Sequence, residues 1–454
     1  MLKSKIAVHV ISSGILPEDT IMLGEAYLKQ WKIPLGQPIT LKFGALRQPV
    51  KVVSVVKFDG MRISQLLAGR MGIHADCPLR IQYRRDSSTL SLGPLIGVLI
   101  SRDNPELPSR PFGSITLFCR ELVAACAAQG AYVYFFTPEH IRGISTVEGW
   151  IYEDGWRKTA LPAPDIVNNR LTSRKLENRP SVQQFLKEVK LRYNTTVFNE
   201  KFLDKTEVFD ALKKDAALIR YLPESHVLRT FTTLKTMCTR YNTVFIKPVR
   251  GSLGKGIIRV SRAEGDKYLA QYATVGGTKK QQFSSLNKLF TSLSGKMKTV
   301  KYQIQQGLNL ITINGRPVDF RALVQKNQTG NWSLTSIVAR TAGNHHFVSN
   351  LARGGTLSTV KEAVMKSNLS FASSNDAPAR LQRAALEIAR GIDSHIPAHF
   401  GELGIDLAMD SVGRIWLLEV NSKPSKNDNT PLPDQKIRPS VRNVIRYSRH
   451  LAGF

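Results

Sequence analysis

The chain has 454 residues, 42% of them hydrophobic and 22% charged, a balance that suits a globular protein of roughly two to four domains. Its 64 Lys and Arg against 35 Asp and Glu leave a formal charge of +29, which favours an anionic partner such as a nucleotide, an acidic peptide or another polyanion. No apolar run approaches the length of a membrane span, and residues 1–8 are broken too early to be a secretory leader, so no membrane partner is expected. Cys77, Cys119, Cys126 and Cys238 are scattered, without Cys-x-x-Cys spacing, and read as ordinary thiols of a reducing compartment, the cytoplasm. The positive charge concentrates at 170–192, 279–301 and 438–449. None of these runs is dense enough to be a nucleic-acid arm, and aromatics do not interleave with them, which disfavours nucleic acid as a partner.

Residues 1–95 read as a β-rich N-terminal domain, a small barrel or sandwich with a docking role. Short alternating strands fall at 39–43, 50–56 and 79–83, and a short helix at 63–70. Residues 96–170 read as a small α/β domain. A buried strand opens at Leu95, a helix covers 112–129, Gly130 stops it, and 131–136 is a second buried strand. That is one βαβ unit of an open parallel sheet. A hairpin at 144–157 turns at Asp154-Gly155. The segment 163–170 then ends a strand, at a tip of the kind where ligands meet α/β sheets. Asn168 and Arg170 there are either ligand contacts or loop polar groups.

Residues 171–454 read as α+β. Asp204-Lys-Thr-Glu207 is a capping-box-like helix start, with the helix running to about 215. The stretch 244–260 is a strand delivering Lys247, a glycine-rich loop with Gly251, Ser252, Gly254 and Gly256, and a second strand. Glycines let backbone N–H groups approach phosphate oxygens, and Lys247 supplies a point charge. No Ser or Thr follows Lys255 and the continuation is a strand, so this is not a Walker loop. It reads either as a flap over a nucleotide or as a hairpin with surface lysines. The strand 302–306 ends at Gly307 and offers a polar edge to an adenine. In Val318-Asp-Phe-Arg-Ala-Leu-Val324, Asp319 and Arg321 share a face, where Arg321 either pairs structurally or stabilises a transferring phosphoryl group. The loop 344–355 adds Arg353 before two glycines, suited to an anion, while the adjacent His345 and His346 read as solvent-exposed. Helices are expected at 379–391 and 439–451, the latter with Arg442, Arg446 and Arg449 on one face.

The most informative segment is 404–421. Ile405, Leu407 and Met409 alternate with Asp406, Ala408 and Asp410, and a tight turn centred on Val412-Gly413 sets Asp406 opposite Glu419 and Asn421 opposite Gly404. Asp406, Glu419 and Asn421 then share one patch. Opposed carboxylates repel, so a cation is expected there. Two carboxylates and an amide oxygen are hard ligands suited to Mg²⁺ or Mn²⁺. A solvated acidic hairpin face is the plainer reading, and a bulged loop would shift the register and part the acids.

Together these residues resemble the ATP-grasp superfamily of ATP-dependent carboxylate–amine ligases. The order matches: Lys205 at a helix start, Lys247 on a strand, the flap 251–256, a hinge strand with Gln305 and Gln306, Arg321, then Asp406, Glu419 and Asn421. More narrowly the layout resembles the YheC/YheD family of endospore coat-associated ATP-grasp proteins, on Leu92-Gly-Pro-Leu-Ile-Gly-Val-Leu, Val318-Asp-Phe-Arg and Ser349-Asn-Leu-Ala-Arg-Gly-Gly. The resemblance implies an ATP-grasp domain over 171–454, with a flap subdomain at about 200–305 and a C-terminal sheet at about 306–435, and an association with the spore coat. It implies ATP held by Lys205, Lys247 and the flap amides, magnesium or manganese at Asp406, Glu419 and Asn421, and Arg321 and Arg353 as catalytic residues. The hinge departs from the family pattern in offering Gln305 and Gln306 where an acidic residue often meets the ribose. The implied reaction joins an anionic carboxylate substrate, an amino acid or acidic peptide, to an amine through an acyl phosphate. A kinase of an anionic small molecule, a nucleotide-binding coat protein and a nucleic-acid binder are the alternatives.

Overall fold

The computed structural model describes residues 4–250, 256–274, 277–343, 354–370, 374–426 and 437–454. Its first layer is a closed seven-stranded barrel. Lys5–Ile11 pairs with Met61–Ser64 on one side and Cys77–Arg84 on the other, and Thr20–Gly24, Leu46–Val55, Ile39–Phe43 and Thr89–Gly93 complete the circuit. Closure removes the exposed edges that a small sheet would otherwise carry. The inward positions Ile6, Val8, Ile21, Leu23, Leu41, Phe43, Leu79 and Ile81 form its core. The helix expected at 63–70 covers Gln65–Met71. Ile63 and Ser64 end a strand instead, because the Ser64 hydroxyl accepts from the Leu67 N–H and caps the helix there.

The second layer is a mixed sheet. Tyr132–Phe136, Leu95–Leu99, Ile166–Asn169 and Thr196–Phe198 run parallel in that order. The hairpin Thr146–Tyr152 and Trp156–Pro162 adds antiparallel strands at one edge. Helix Thr116–Gln129 ends at Gly130, whose φ of 72° is the left-handed cap conformation that glycine adopts without penalty. Pro180–Tyr193, read for its charge alone, is an amphipathic helix that buries Val182, Phe185, Leu186 and Val189.

Two further sheets follow. The first is wholly antiparallel, in the order Ser225–Leu228, Tyr302–Gln306, Thr243–Pro248, Ile258–Arg262, Tyr268–Thr274 and Gly277–Phe283. Helices Phe231–Arg240 and Leu286–Met297 cover one face, where Leu234, Met237, Leu289 and Leu293 meet Val244, Ile246 and Ile304. The second sheet runs Thr356–Ser358, Trp332–Thr341, Arg316–Lys326, Glu402–Met409 and Ile415–Asn421. Helix Ala377–His395 backs it with Leu381, Ala384, Ala385, Ile388 and Ile392. The last helix, Pro439–Ala452, returns to the second layer, where Val441, Val444 and Ile445 join Phe118, Cys119 and Leu122 in one core. No described helix is long and apolar enough to cross a membrane.

Candidate active site

Lys205 is the first residue of helix Lys205–Leu212, whose N-cap Asp204 accepts from the Glu207 N–H at 2.8 Å. A lysine there opposes the positive end of the helix dipole, so it needs an anion. The Glu419 carboxylate provides one, 3.0 Å from its Nζ. Lys247 projects from the strand Thr243–Pro248 and donates to the Gln305 side-chain oxygen. Burial, and then the nearby Lys205, bring its amine down to about 8, while Glu419 acts the other way. Gln305 in turn donates to the Ser225 hydroxyl at 3.1 Å. Gln306 points elsewhere: its side-chain oxygen accepts from the Glu224 N–H at 2.7 Å and ties the hinge strand to its neighbour. At Gly256, with φ of 74°, an added Cβ would lie 3.1 Å from Pro248 Cγ. Gly251, Ser252 and Gly254 of the flap, and Arg353 with residues 344–352, lie outside the described residues.

The acidic hairpin has the expected pairing at its base by a different route. Asp406 faces Glu419 and Gly404 faces Asn421. At the turn, however, Met409 faces Ile415, so the connection is longer than a tight turn on Val412-Gly413 and the register there is one residue short. A bulge between Asp406 and Leu407 takes up the extra residue, Leu418, and restores the pairing at the acids.

Asp406 also sits opposite Arg321 on the neighbouring strand. Arg321 grips it with both Nε and Nη2, the latter at 2.9 Å from Oδ2. Arg340, on strand Trp332–Thr341, bridges Asp319 at 2.6 Å and Asp406 at 3.1 Å. Burial works against the Arg340 charge, but Asp406 and Asp319 outweigh it and raise its affinity for the proton further. Gly404 leaves space for this fork: a Cβ there would lie 3.2 Å from Arg321 Nη1. Asp319, Asp406 and Glu419 thus face Arg321, Arg340, Lys205 and Lys247 in one charge network that spans the two antiparallel sheets. Among the described residues no three His, Cys, Asp or Glu side chains gather where they could share one ion, and the donor set here is two carboxylates and an amide.

Sequence reasoning missed two parts of this site. Arg340 was legible only through the register that sets it opposite Asp319. The other is the segment after Asn421. Lys423 pairs with Glu177, both side chains at least 95% buried, and Lys426 pairs at 2.8 Å with Glu402, which also meets Arg170. Burial lowers the Lys423 amine to about 8, against the pull of Glu177. Arg170 additionally donates to the Pro424 carbonyl. Of the two strand-tip candidates, Arg170 is therefore an interior tether, and Asn168 is wholly buried beside Asn199.

A lid sheet carrying a buried lysine, set against a second antiparallel sheet carrying the acid–amide set, is the architecture of the ATP-grasp fold. The model of YheC/D-like ATP-grasp proteins matches residues 194–451, and the chain belongs to that family. It is 30% identical to "Endospore coat-associated protein YheD" of Bacillus subtilis (strain 168) over 348 residues, 75% of this chain and 74% of that protein. It is 24% identical to "Endospore coat-associated protein YheC" of the same organism, over 62% of this chain and 76% of that protein. Among solved structures it is similar to the VanG D-Ala:D-Ser ligase of Enterococcus faecalis, with a TM-score of 0.47, 12% identity, and 79% of this chain and 99% of that one covered.

Proposed function

We propose that the protein is an ATP-dependent carboxylate–amine ligase, forming an amide bond through an acyl phosphate. The observation that carries this reading is the charge network itself. Four cations converge on three carboxylates at the meeting of the lid and base sheets, which is one more positive charge than the carboxylates neutralise.

The donor set fits a magnesium ion, since Glu419 and Asn421 share a face and Asp406 faces Glu419. Such an ion would supply charge neutralisation at the phosphates. Glu419, Asn421 and Asp406 would hold that ion, and the Lys205 amine beside Glu419 would then be available to a phosphate oxygen. Arg321 is in the same position with respect to Asp406. Lys247, already poised between Lys205 and Gln305, adds a third positive contact. These side chains would orient the γ-phosphoryl group toward a substrate carboxylate. The carboxylate oxygen attacks phosphorus, ADP leaves, and an amine then attacks the acyl carbon and expels phosphate. Arg353 is assigned to the oxyanion of that second step. The substrate is an amino acid or acidic peptide, in keeping with the net charge of +29. The relatives' names support an association with the spore coat.

Hydroxylamine tests the intermediate. With Mg-ATP and a pool of amino acids and acidic peptides, it should trap the acyl phosphate as a hydroxamate in the wild type and not in Glu419→Gln. ADP release without any hydroxamate or condensed product would oppose the reading.

A further inference from the structure

The face of the lid sheet turned toward the base carries a guanidinium that the resting charge network does not use. Val244, Ile246, Ile258 and Val260 point into the core under helices Phe231–Arg240 and Leu286–Met297, so Phe245, Lys247 and Arg259 take the opposite face. That face meets the base, since Lys205 and Glu419 both act on the Lys247 amine. Arg259 pairs with Phe245 across the ladder. Lys247 is then its diagonal neighbour, about 7–8 Å away and within reach of two long side chains. On the other side Arg259 faces Gln271, and Gln271 faces Lys280. None of the six strands of this sheet contains an Asp or Glu. The Arg259 guanidinium is partly buried, and its Nε is enclosed without a hydrogen-bond partner among the described residues. Burial lowers its affinity for the proton, and no acid acts against that. A stem laid along apolar surface would account for the burial, but it would leave the head in water rather than strand Nε. By contrast Arg321 and Arg340 on the base sheet each hold a carboxylate.

We propose that Arg259 is a further nucleotide-binding residue, donating from its guanidinium to a phosphate of the ATP that Lys247 also holds. The inference rests on the nucleotide reading above and adds to it a residue on the strand that leaves the flap. A guanidinium makes two-point contacts to phosphate oxygens where a lysine offers a point charge. A partly buried donor without an acceptor is costly, and an arriving phosphate removes that cost. Position favours a phosphate over a substrate carboxylate. Arg259 is diagonal to Lys247 and shares a row with Phe245 and, on the hinge strand, Gln305, so it stands among the strands that receive the nucleotide.

The test is isothermal titration of the full chain with Mg-ATP, Mg-ADP and adenosine. Arg259→Gln removes the charge and the fork, and Arg259→Lys keeps the charge without the fork. The control, Arg262→Gln, removes the same charge from an exposed position on the other face of the same strand, beside Asp266. We expect Arg259→Gln to bind ATP and ADP about tenfold or more weakly, and Arg259→Lys to fall between it and the wild type. Adenosine should bind all of these proteins equally, the control should bind ATP as the wild type does, and all should melt alike. ATP affinity that is unchanged in Arg259→Gln, or lowered equally in Arg262→Gln, would overturn the proposal. So would a loss that extends to adenosine, which would make Arg259 a packing residue of the lid. If Arg259→Gln melts early, Arg259→Lys decides, and wild-type affinity for ATP in that variant would overturn the proposal. A wild type that binds no ATP would bring down the nucleotide reading as well, so the two failures are distinct.

Discussion

Asp406 and Glu419 face each other across one antiparallel ladder, and each is held by cations of its own: Asp406 by the Arg321 fork and by Arg340 at 3.1 Å, and Glu419 by Lys205 at 3.0 Å. Two facing carboxylates would otherwise oppose strand pairing. On the proposed reading the same cations are the groups that a bound nucleotide would claim, and the resting network holds them in place.

The first consequence concerns Arg321. Its two-point grip on Asp406 needs a planar fork, which lysine lacks. Arg321→Lys should keep the fold, with a change in unfolding free energy of about 1 kcal/mol, and lower ATP turnover about tenfold or more. Unchanged turnover would remove Arg321 from the site.

The second concerns pH. Lys247 has its amine lowered from 10.5 to about 8, so it is charged below that pH and neutral above it. Affinity for ATP should therefore fall as pH rises through about 8, and Lys247→Arg, which stays charged, should flatten that profile. Stability moves the other way. For Lys247 itself the unfolded state holds more of the proton than the native state between about 8 and 10.5, so this group's contribution to unfolding free energy rises with pH over that window, while the buried Cys77 and Cys238 thiols, pushed up to about 12, act against it above about 9. Lys423 titrates at about 8 as well and contributes to the stability trend but not to the binding profile. Isothermal titration of ATP across this range reads the first effect and urea unfolding reads the second.

The third concerns the tether behind Asn421. Lys423→Met would leave Glu177 buried without its cation, at a cost of about 3–5 kcal/mol. Adding Glu177→Gln, which keeps a group able to accept from the Phe202 N–H, should recover most of that loss. Urea denaturation of the two single variants and the double variant gives the coupling directly. Additive losses would mean that the pair is not a unit.

Much of this was legible in the sequence, for local reasons. The alternation in 404–421 fixed which residues share a face, and the pairing of Asp406 with Glu419 followed. The turn was misjudged because a longer loop and a bulge at Leu418 cancel, and alternation alone cannot distinguish that from a tight turn. The strand Val318–Val324 was readable because Phe320 and Ala322 must face the core while Asp319 and Arg321 must not. Helix Pro180–Tyr193 was hidden by its Lys and Arg, which decorate the face opposite Val182, Phe185 and Val189. Arg340 and Lys423 were beyond reach, because their roles depend on partners 21 and 246 residues away. Only the assembled fold brings those partners within hydrogen-bond distance.

The most direct measurement is mass spectrometry of the full chain incubated with Mg-ATP and a pool of amino acids and acidic peptides, with released phosphate assayed in parallel. The account predicts a product at the summed masses of two substrates less one water, formed with ADP and free phosphate and absent with Glu419→Gln. A substrate that instead gains one phosphoryl mass, with no free phosphate released, would contradict it and make the protein a kinase.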